Sequence, residues 1–397
     1  MLAHSSIVMI EARMPSTRAM KIICSILCLL VLASNLWTMR NWTERTGVYD
    51  DICYLRQAHL FQRFGLGGFD TNITRDDDQY FATLAREIGY PAWDDQARAP
   101  CHTPIGDKHV IQYPPGTGLA LSFFPAGFQR VPLYAVANFV IFLVATLAIW
   151  SARSRRATAG AGVIGMAAIY FMVNPSKASS SMAPTMIVCA VVGYLTAILA
   201  NAAERSRRLT AAVLIGLLLG LAVSFRLPNL FLSAGYFIVL LGIAVRSKAS
   251  RDIWRFSAFG AAYLLGLMPT LIANAINAGN VLATTYGAVD ATPPDFSLSI
   301  AREYFTDMQG ALILLTATWT IVALASNVQK TAASIVAINL APNLAFFLTH
   351  PISTPYYLMP LAMQCLWTLL FSYLNDPRHE NGGPRDVAIG TKAAKNH

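Results

Sequence analysis

Apolar residues arrive along this chain in runs of roughly 20, separated by short polar linkers, and the rhythm holds over most of its length. A helix of that length crosses about 30 Å of hydrocarbon. The pattern predicts spans over residues 22–37, 131–150, 159–173, 183–200, 211–225, 229–245, 257–276, 309–326, 331–348 and 356–373, about ten in all. One interval breaks the rhythm. Residues 39–113 are polar and carry Glu44, Asp50, Asp51, Asp70, Asp76, Asp77, Asp78, Glu87, Asp94, Asp95 and Asp107. Within it, residues 50–64 lack Gly and Pro and read as a helix stopped by Gly65, Gly67 and Gly68. Asp50, Tyr54 and Phe61 fall on one side of that helix, which is expected to be amphipathic and to lie along the membrane surface. A second helix is expected over 79–88, after Asp76-Asp77-Asp78.

The expected fold class is therefore all-α integral membrane, with about ten transmembrane helices and a large first extracytoplasmic loop containing amphipathic helices. Three regions follow. Residues 1–130 hold an N-terminal anchor helix and the polar loop, 131–374 a multi-span bundle, and 375–397 a tail expected to be disordered.

Composition supports this division. Hydrophobic residues make up 55% of the 397 and charged residues 13%, too few for the polar coat of a soluble protein of this size. The formal charge of +9 raises nucleic acid as a partner, but the bases cluster between apolar runs. Arg153, Arg155 and Arg156 form one group, and Arg205, Arg207 and Arg208 another. Arg246, Lys248, Arg251 and Arg255, then Lys330, then Arg378, Arg385, Lys392 and Lys395 follow. That is positive-inside sorting, and it places both termini in the cytoplasm and the polar loop outside. Loop 279–308 and the turn 350–355 share the outer face with it. Of six cysteines, Cys24, Cys28, Cys189 and Cys365 lie in apolar runs. Cys53 and Cys101 lie in the polar interval, where a disulfide and two free thiols both remain open.

Candidate chemistry gathers on the outer face. Asp50 and Asp51 are either a base at the membrane surface or a cap and first-turn acid favoured by the helix dipole. Asp76-Asp77-Asp78 is accounted for by capping. Arg226, alone between two apolar runs, either snorkels to the interface or grips a lipid phosphate. Gln112-Tyr113-Pro114-Pro115-Gly116 opens an apolar stretch. A Gly-broken polar turn leads to Tyr286, and His350 closes the ninth span. The chain has no P-loop, dinucleotide-binding glycine motif, His-Glu-x-x-His or Gly-x-Ser-x-Gly, so nothing points to nucleotide-driven transport or a common hydrolase.

In order and placement these motifs resemble the GT-C superfamily of polytopic glycosyltransferases, in the bacterial branch related to protein mannosyltransferases and the lipid A aminoarabinose transferase. Asp50-Asp51-Ile52-Cys53-Tyr54 is similar to the family's Asp-acid-x-x-Tyr motif, and Tyr113-Pro114-Pro115 to its Pro-Pro element. The stretch from Gly216 to Arg226 resembles its Gly-rich span ending in an external Arg, and Asn277-Ala278-Gly279-Asn280 with Tyr286 its Asn-Gly-Tyr turn. One departure is visible: residues 174–184 contain no carboxylate, where related enzymes often carry a second acid. The resemblance implies transfer of a sugar from a polyprenyl phosphate to a glycan, lipid or protein acceptor, with inversion, at a periplasmic site of an inner-membrane protein. It makes Asp50 the catalytic base and Asp51 its acidic neighbour. Tyr54, Tyr113, Arg226, Tyr286 and His350 are the candidate substrate-binding residues. No metal ligand set is assigned and no cofactor is called for, although the need for a divalent metal stays open. The competing readings are a lipid or sugar transporter (flippase), expected to show paired repeats and mid-membrane charges, and a non-catalytic scaffold of envelope glycan assembly.

Overall fold

In the computed structural model, residues 16–44, 47–90, 92, 99–173, 179–286, 294–326, 329–349, 354 and 356–375 are described. The chain is mostly helical. Helix α1 (Thr17–Met39) leads into the polar interval, which holds α2 (Asp50–Phe64), α3 (Tyr80–Glu87), an antiparallel hairpin of β1 (His102–Ile105) and β2 (Lys108–Ile111), and α4 (Gly116–Ser122). The bundle follows as α5 (Arg130–Ser151), α6 (Arg155–Tyr170), α7 (Met182–Asn201), α8 (Arg205–Phe225), α9 (Ala234–Ser247) and α10 (Ser250–Ala278). Short α11 (Leu298–Thr306) precedes α12 (Met308–Ala325), α13 (Lys330–Thr349) and α14 (Met359–Leu374).

Eight of the described helices are long and apolar enough to cross a membrane, counting the turn Leu227–Ser233 with α9. Helices α6 and α14 have 16 residues each, about 24 Å, which is short of a full hydrocarbon width. Hydrogen bonds nevertheless put α6 at the depth of its neighbours. Lys21 at the start of α1 bonds the Trp150 carbonyl at the end of α5, and Asn35 near the end of α1 bonds both Asn138 and the Ile169 carbonyl. So α6 runs parallel to α1 across the same layer. Leu30, Leu143, Val163, Leu265 and Ile321 project outward from five different helices, a belt that suits lipid and would be a liability in water.

Glycines allow a close crossing of α8 and α10. A Cβ on Gly216 would overlap the Phe259 carbonyl, one on Gly220 the Tyr263 carbonyl, and one on Gly266 the Leu217 carbonyl. Gly216 and Gly220 form a Gly-x-x-x-Gly stripe that lets α8 and α10 touch backbone to backbone, as small residues do between helices in lipid. The pair runs parallel, with α9 returning in the chain between them, so α8 and α10 both run toward the same end of the bundle. There α8 delivers Arg226 and α10 delivers Asn277.

The two ends differ in charge. Arg153, Arg155 and Arg156, then Arg205, Arg207 and Arg208, then Arg246, Lys248, Arg251 and Arg255 lie at one end, with Lys330. The polar interval, residues 279–286, α11 and the start of α14 lie at the other.

The structure corrects one expectation. Helix α2 is not an amphipathic surface helix, because nearly every residue from Asp51 to Phe61 is buried. Its polar side chains are satisfied by remote backbone: Arg56 donates to the Thr71 and Asn72 carbonyls (3.1 and 2.9 Å), and Gln57 to the Tyr113 carbonyl (2.9 Å). Helix α3 is amphipathic, burying Phe81, Leu84 and Ala85. The hairpin and α11 were not expected. At α8–α10 the expected result is that Gly220→Ala lowers the thermal midpoint of the purified protein, by about 1–3 kcal/mol of overpacking, whereas Gly242→Ala, where a Cβ meets nothing, leaves it unchanged.

Candidate functional site

The two adjacent aspartates have different surroundings. Asp51 is 2% exposed and its carboxylate is fully engaged. Arg130, 1% exposed at the start of α5, donates to it from Nη2 at 2.8 Å. The Ser180 backbone N–H donates at 2.7 Å, the Val48 N–H at 3.3 Å and the Ser179 hydroxyl at 3.4 Å. The Nε of Arg130 donates in turn to the Ser180 hydroxyl, and the Tyr134 hydroxyl holds the Ser179 carbonyl at 2.7 Å. This knot joins α2, α5 and the segment before α7. A buried ion pair with its lone pairs satisfied fixes geometry, and losing either partner strands a charge.

Asp50, one residue earlier, is half-buried and turned toward a ring of aromatic side chains. Burial pushes its carboxyl above the usual carboxylate range, and the Asp51 charge adds to this. A hydrogen bond from the Tyr113 hydroxyl and the Arg226 charge oppose the rise. Tyr113 accepts from Gln112 Nε2 at 3.1 Å, which leaves its own proton for Asp50. Burial, and then the Asp50 charge, hold the Tyr113 phenol well above its ordinary value, so it stays a donor. Tyr54 lies one helical turn on from Asp50, its ring 5.2 Å from that of Tyr113, with Tyr286 6.2 Å beyond. Burial raises the Tyr54 phenol too, helped by Tyr286 and Asp50.

Arg226 follows the last residue of α8. Its guanidinium lies over the Tyr357 and Tyr356 rings, at 5.0 and 5.5 Å, and touches the Met182 sulfur at 3.3 Å. Among the described residues no carboxylate lies within ion-pair distance of it. A half-buried cation resting on aromatic faces near an aspartate is arranged to receive an anion.

The Pro-Pro element shows why this placement is reproducible. A Cβ on Gly116 would overlap Ser224 of α8, and one on Gly118 would overlap Gln57 of α2. Thr117 donates to the Phe225 carbonyl at 3.1 Å. So Tyr113 is wedged between the helix carrying Asp50 and the helix ending at Arg226. Two clamps close the arrangement. Asn277 donates to the Phe69 carbonyl (2.7 Å) and accepts from the Thr71 N–H (2.9 Å), and the Thr285 hydroxyl donates to the Gln112 carbonyl (2.9 Å). A small cavity of about 20 Å³ lies beneath, bounded by Tyr113, Asn277 and Tyr286. Cys53 and Cys101 form a disulfide, so of the two open readings the bonded one holds, and α2 is tied to the chain just before the hairpin.

Of the sequence candidates, Asp50, Tyr54, Tyr113, Arg226 and Tyr286 converge. Asp51 lies beside them in its knot, and His350 falls outside the described residues. Asp76 caps α3 by accepting from the Phe81 and Ala82 N–H groups (2.8 and 3.2 Å), Asp78 accepts from the Tyr80 N–H, and Asp77 pairs with Arg63. Among the described residues no three His, Cys, Asp or Glu side chains gather closely enough to hold a metal ion. Sequence reasoning missed Arg130, hidden at the edge of an apolar run, and the Ser179–Ser181 support. Tyr356 and Tyr357, whose rings lie under the Arg226 guanidinium, were not among the sequence candidates either.

The two aspartates should separate in stability. Asp51→Asn is expected to cost about 3–5 kcal/mol by leaving Arg130 buried and unpaired, with part recovered in Asp51→Asn/Arg130→Met. For Asp50 the sign is opposite. Its raised folded pKa means the ionised carboxylate is penalised by folding at any pH above that value. Asp50→Asn should therefore leave the thermal midpoint at neutral pH unchanged or slightly higher, as read by fluorescence-monitored melting. Compared with protein-family models, with curated proteins and with solved structures, the chain gives no match at any of the three levels.

Proposed function

We propose that this chain is an inverting membrane glycosyltransferase that moves a sugar from a polyprenyl phosphate to an acceptor, with Asp50 as general base. The observation that carries the reading is the convergence, at one end of the bundle, of a half-buried aspartate, a protonated tyrosine bonded to it and an arginine that meets no carboxylate among the described residues. The resemblance to the GT-C pattern supplies the substrate class. The bundle's charge asymmetry supports its sidedness, with the basic end cytoplasmic and the Asp50 end facing the periplasm across an inner membrane.

In this scheme the lipid tail lies along the apolar outer surface and the phosphate meets Arg226. An acceptor hydroxyl or amine attacks the anomeric carbon while its proton passes to the Asp50 carboxylate. The bond between the anomeric carbon and the phosphate oxygen breaks, and the phosphate leaves with both bonding electrons. Arg226 stabilises that growing charge, a contribution worth about 10²–10³-fold for a single donor at such a site. Tyr113 orients Asp50, and its high pKa keeps it from competing for the proton. The energy comes from the glycosyl-phosphate bond, so no nucleotide site is needed.

The first test is transfer by the purified protein from a polyprenyl-phosphate sugar in proteoliposomes. Asp50→Asn is expected to abolish product while the protein still inserts and melts normally. The acid limb of the wild-type pH profile should lie above the usual carboxylate range, because the base form of Asp50 is gained as pH rises through its raised pKa. A limb at the ordinary carboxylate value would sink the base assignment. The second test is Arg226→Gln, expected to cut turnover by about 10²–10³-fold, with Arg226→Lys recovering part of it. Flux of a lipid-linked sugar without glycosyl product would favour a transporter instead.

A further inference from the structure

At the end of the bundle opposite Asp50, a cavity of about 300 Å³ opens between α7, α8, α9, α10 and the start of α13. Arg205, Arg208, Arg251 and Arg255 line it, and Asp252 is the one acid among its lining residues. Asp252 is committed to Arg255 at 3.1 Å, with Arg251 at 3.7 Å. Arg208 donates its Nε to the Ala202 carbonyl, and among the described residues neither Arg205 nor Arg208 meets a carboxylate. The lining therefore carries four positive charges against one negative, in a partly desolvated space.

Positive-inside sorting requires bases on one side of the membrane but does not require them around a cavity. Arg153, just before α6, and Arg155 and Arg156, in its first turn, satisfy the rule as exposed side chains and are not among the residues that line this cavity. The cavity differs in a second way. Helices α8 and α10 both begin there, and neither has a side-chain cap. Their first N–H groups and helix dipoles add to the positive field. Leu199 and Ile243 give the cavity an apolar wall.

From this geometry we infer a second binding site, separate from the Asp50 centre, that takes a phosphate-bearing anion. Planar guanidinium groups with free terminal nitrogens suit a phosphate's paired oxygens. A basic pocket between spanning helices with an apolar wall suits the phosphate of an anionic lipid headgroup, and a free pyrophosphate carries the same chemistry.

The test uses the full chain, purified in a zwitterionic detergent. One arm is reconstitution in phosphatidylcholine nanodiscs with and without phosphatidylglycerol, with retained lipid counted by native mass spectrometry. The other is inorganic pyrophosphate followed by thermal shift. Wild type is expected to retain phosphatidylglycerol if the source is lipid, or to be stabilised by pyrophosphate if the source is soluble. In Arg205→Gln/Arg208→Gln the response should fall at least about tenfold, as expected for losing two charged hydrogen-bonding groups. Should that variant fail to fold, Arg205→Lys/Arg208→Lys keeps the charge and is expected to show a smaller loss. Two results would overturn the site: no response from wild type in either arm, or an equal loss in Arg155→Gln/Arg156→Gln, which removes the same charge from the same end of the bundle.

Discussion

The buried contact between Arg130 and Asp51 governs the arrangement of the end of the bundle that holds Asp50. It joins the first turn of α2 to α5, and through Ser179 and Ser180 to the segment entering α7. A charge pair out of water tolerates little displacement, since separating it leaves two ions with no solvent to accept them. Because α2 is held at its first turn, the neighbouring carboxylate is held too. Asp50 then has a fixed direction, held by the hydrogen bond from Tyr113 and facing Arg226, with no ion pair of its own among the described residues. Two consecutive aspartates thus divide the work, one bound permanently and one left available.

Three close approaches bring the rest of the centre to that carboxylate. The glycine stripe on α8 lets α10 pack against it backbone to backbone, and the two parallel helices run toward the same end of the bundle, where α8 delivers Arg226 and α10 delivers Asn277. Gly116 and Gly118 let the Pro-Pro segment slot between α8 and α2, carrying Tyr113. The disulfide from Cys53 fixes the other end of the strand pair that leads to Tyr113. Each device acts on backbone spacing, and each moves a polar side chain toward one point. At the far end the same helices start instead of stopping, and their uncapped N-termini meet a concentration of arginines. One bundle thus presents an aspartate-centred site at one end and an anion-attracting cavity at the other, separated by the length of α8, about 31 Å.

Much of the scaffold could be read from hydropathy. Each expected apolar run contains a helix, although the runs at 159–173 and 356–373 hold helices of only 16 residues, and eight helices have the length and composition to cross a membrane. The basic clusters within the described residues also fell at one end, because charge sorting acts on short linkers that sequence displays directly; the 378–395 group lies outside the described residues. What misled was α2. Its Arg, Gln and Asp residues suggest a polar face toward water, yet they are buried against carbonyls and a guanidinium far away in the chain, such as Arg130, 79 residues from Asp51. No local pattern carries that information. The hairpin was more accessible: Gly106-Asp107 between two short β-prone segments is a two-residue turn signal, and Gly106 takes the positive φ of 60° that such a turn needs. At the site, the lone Arg226 and the Tyr113-Pro114-Pro115 element stood out as motifs. The resemblance already set Asp50 apart from Asp51, but the physical ground of the difference, the buried pairing of Asp51 with Arg130, depends on residues far away in the chain.

The central claim is that Asp50 performs glycosyl transfer to an envelope acceptor. Its most direct measurement is mass analysis of envelope lipids and glycans from a strain lacking this chain, complemented with wild type or Asp50→Asn. The account predicts loss of one defined sugar, restored by wild type and not by a stably inserted Asp50→Asn protein. Full restoration by Asp50→Asn, or an unchanged glycan profile in the deletion strain, would contradict it.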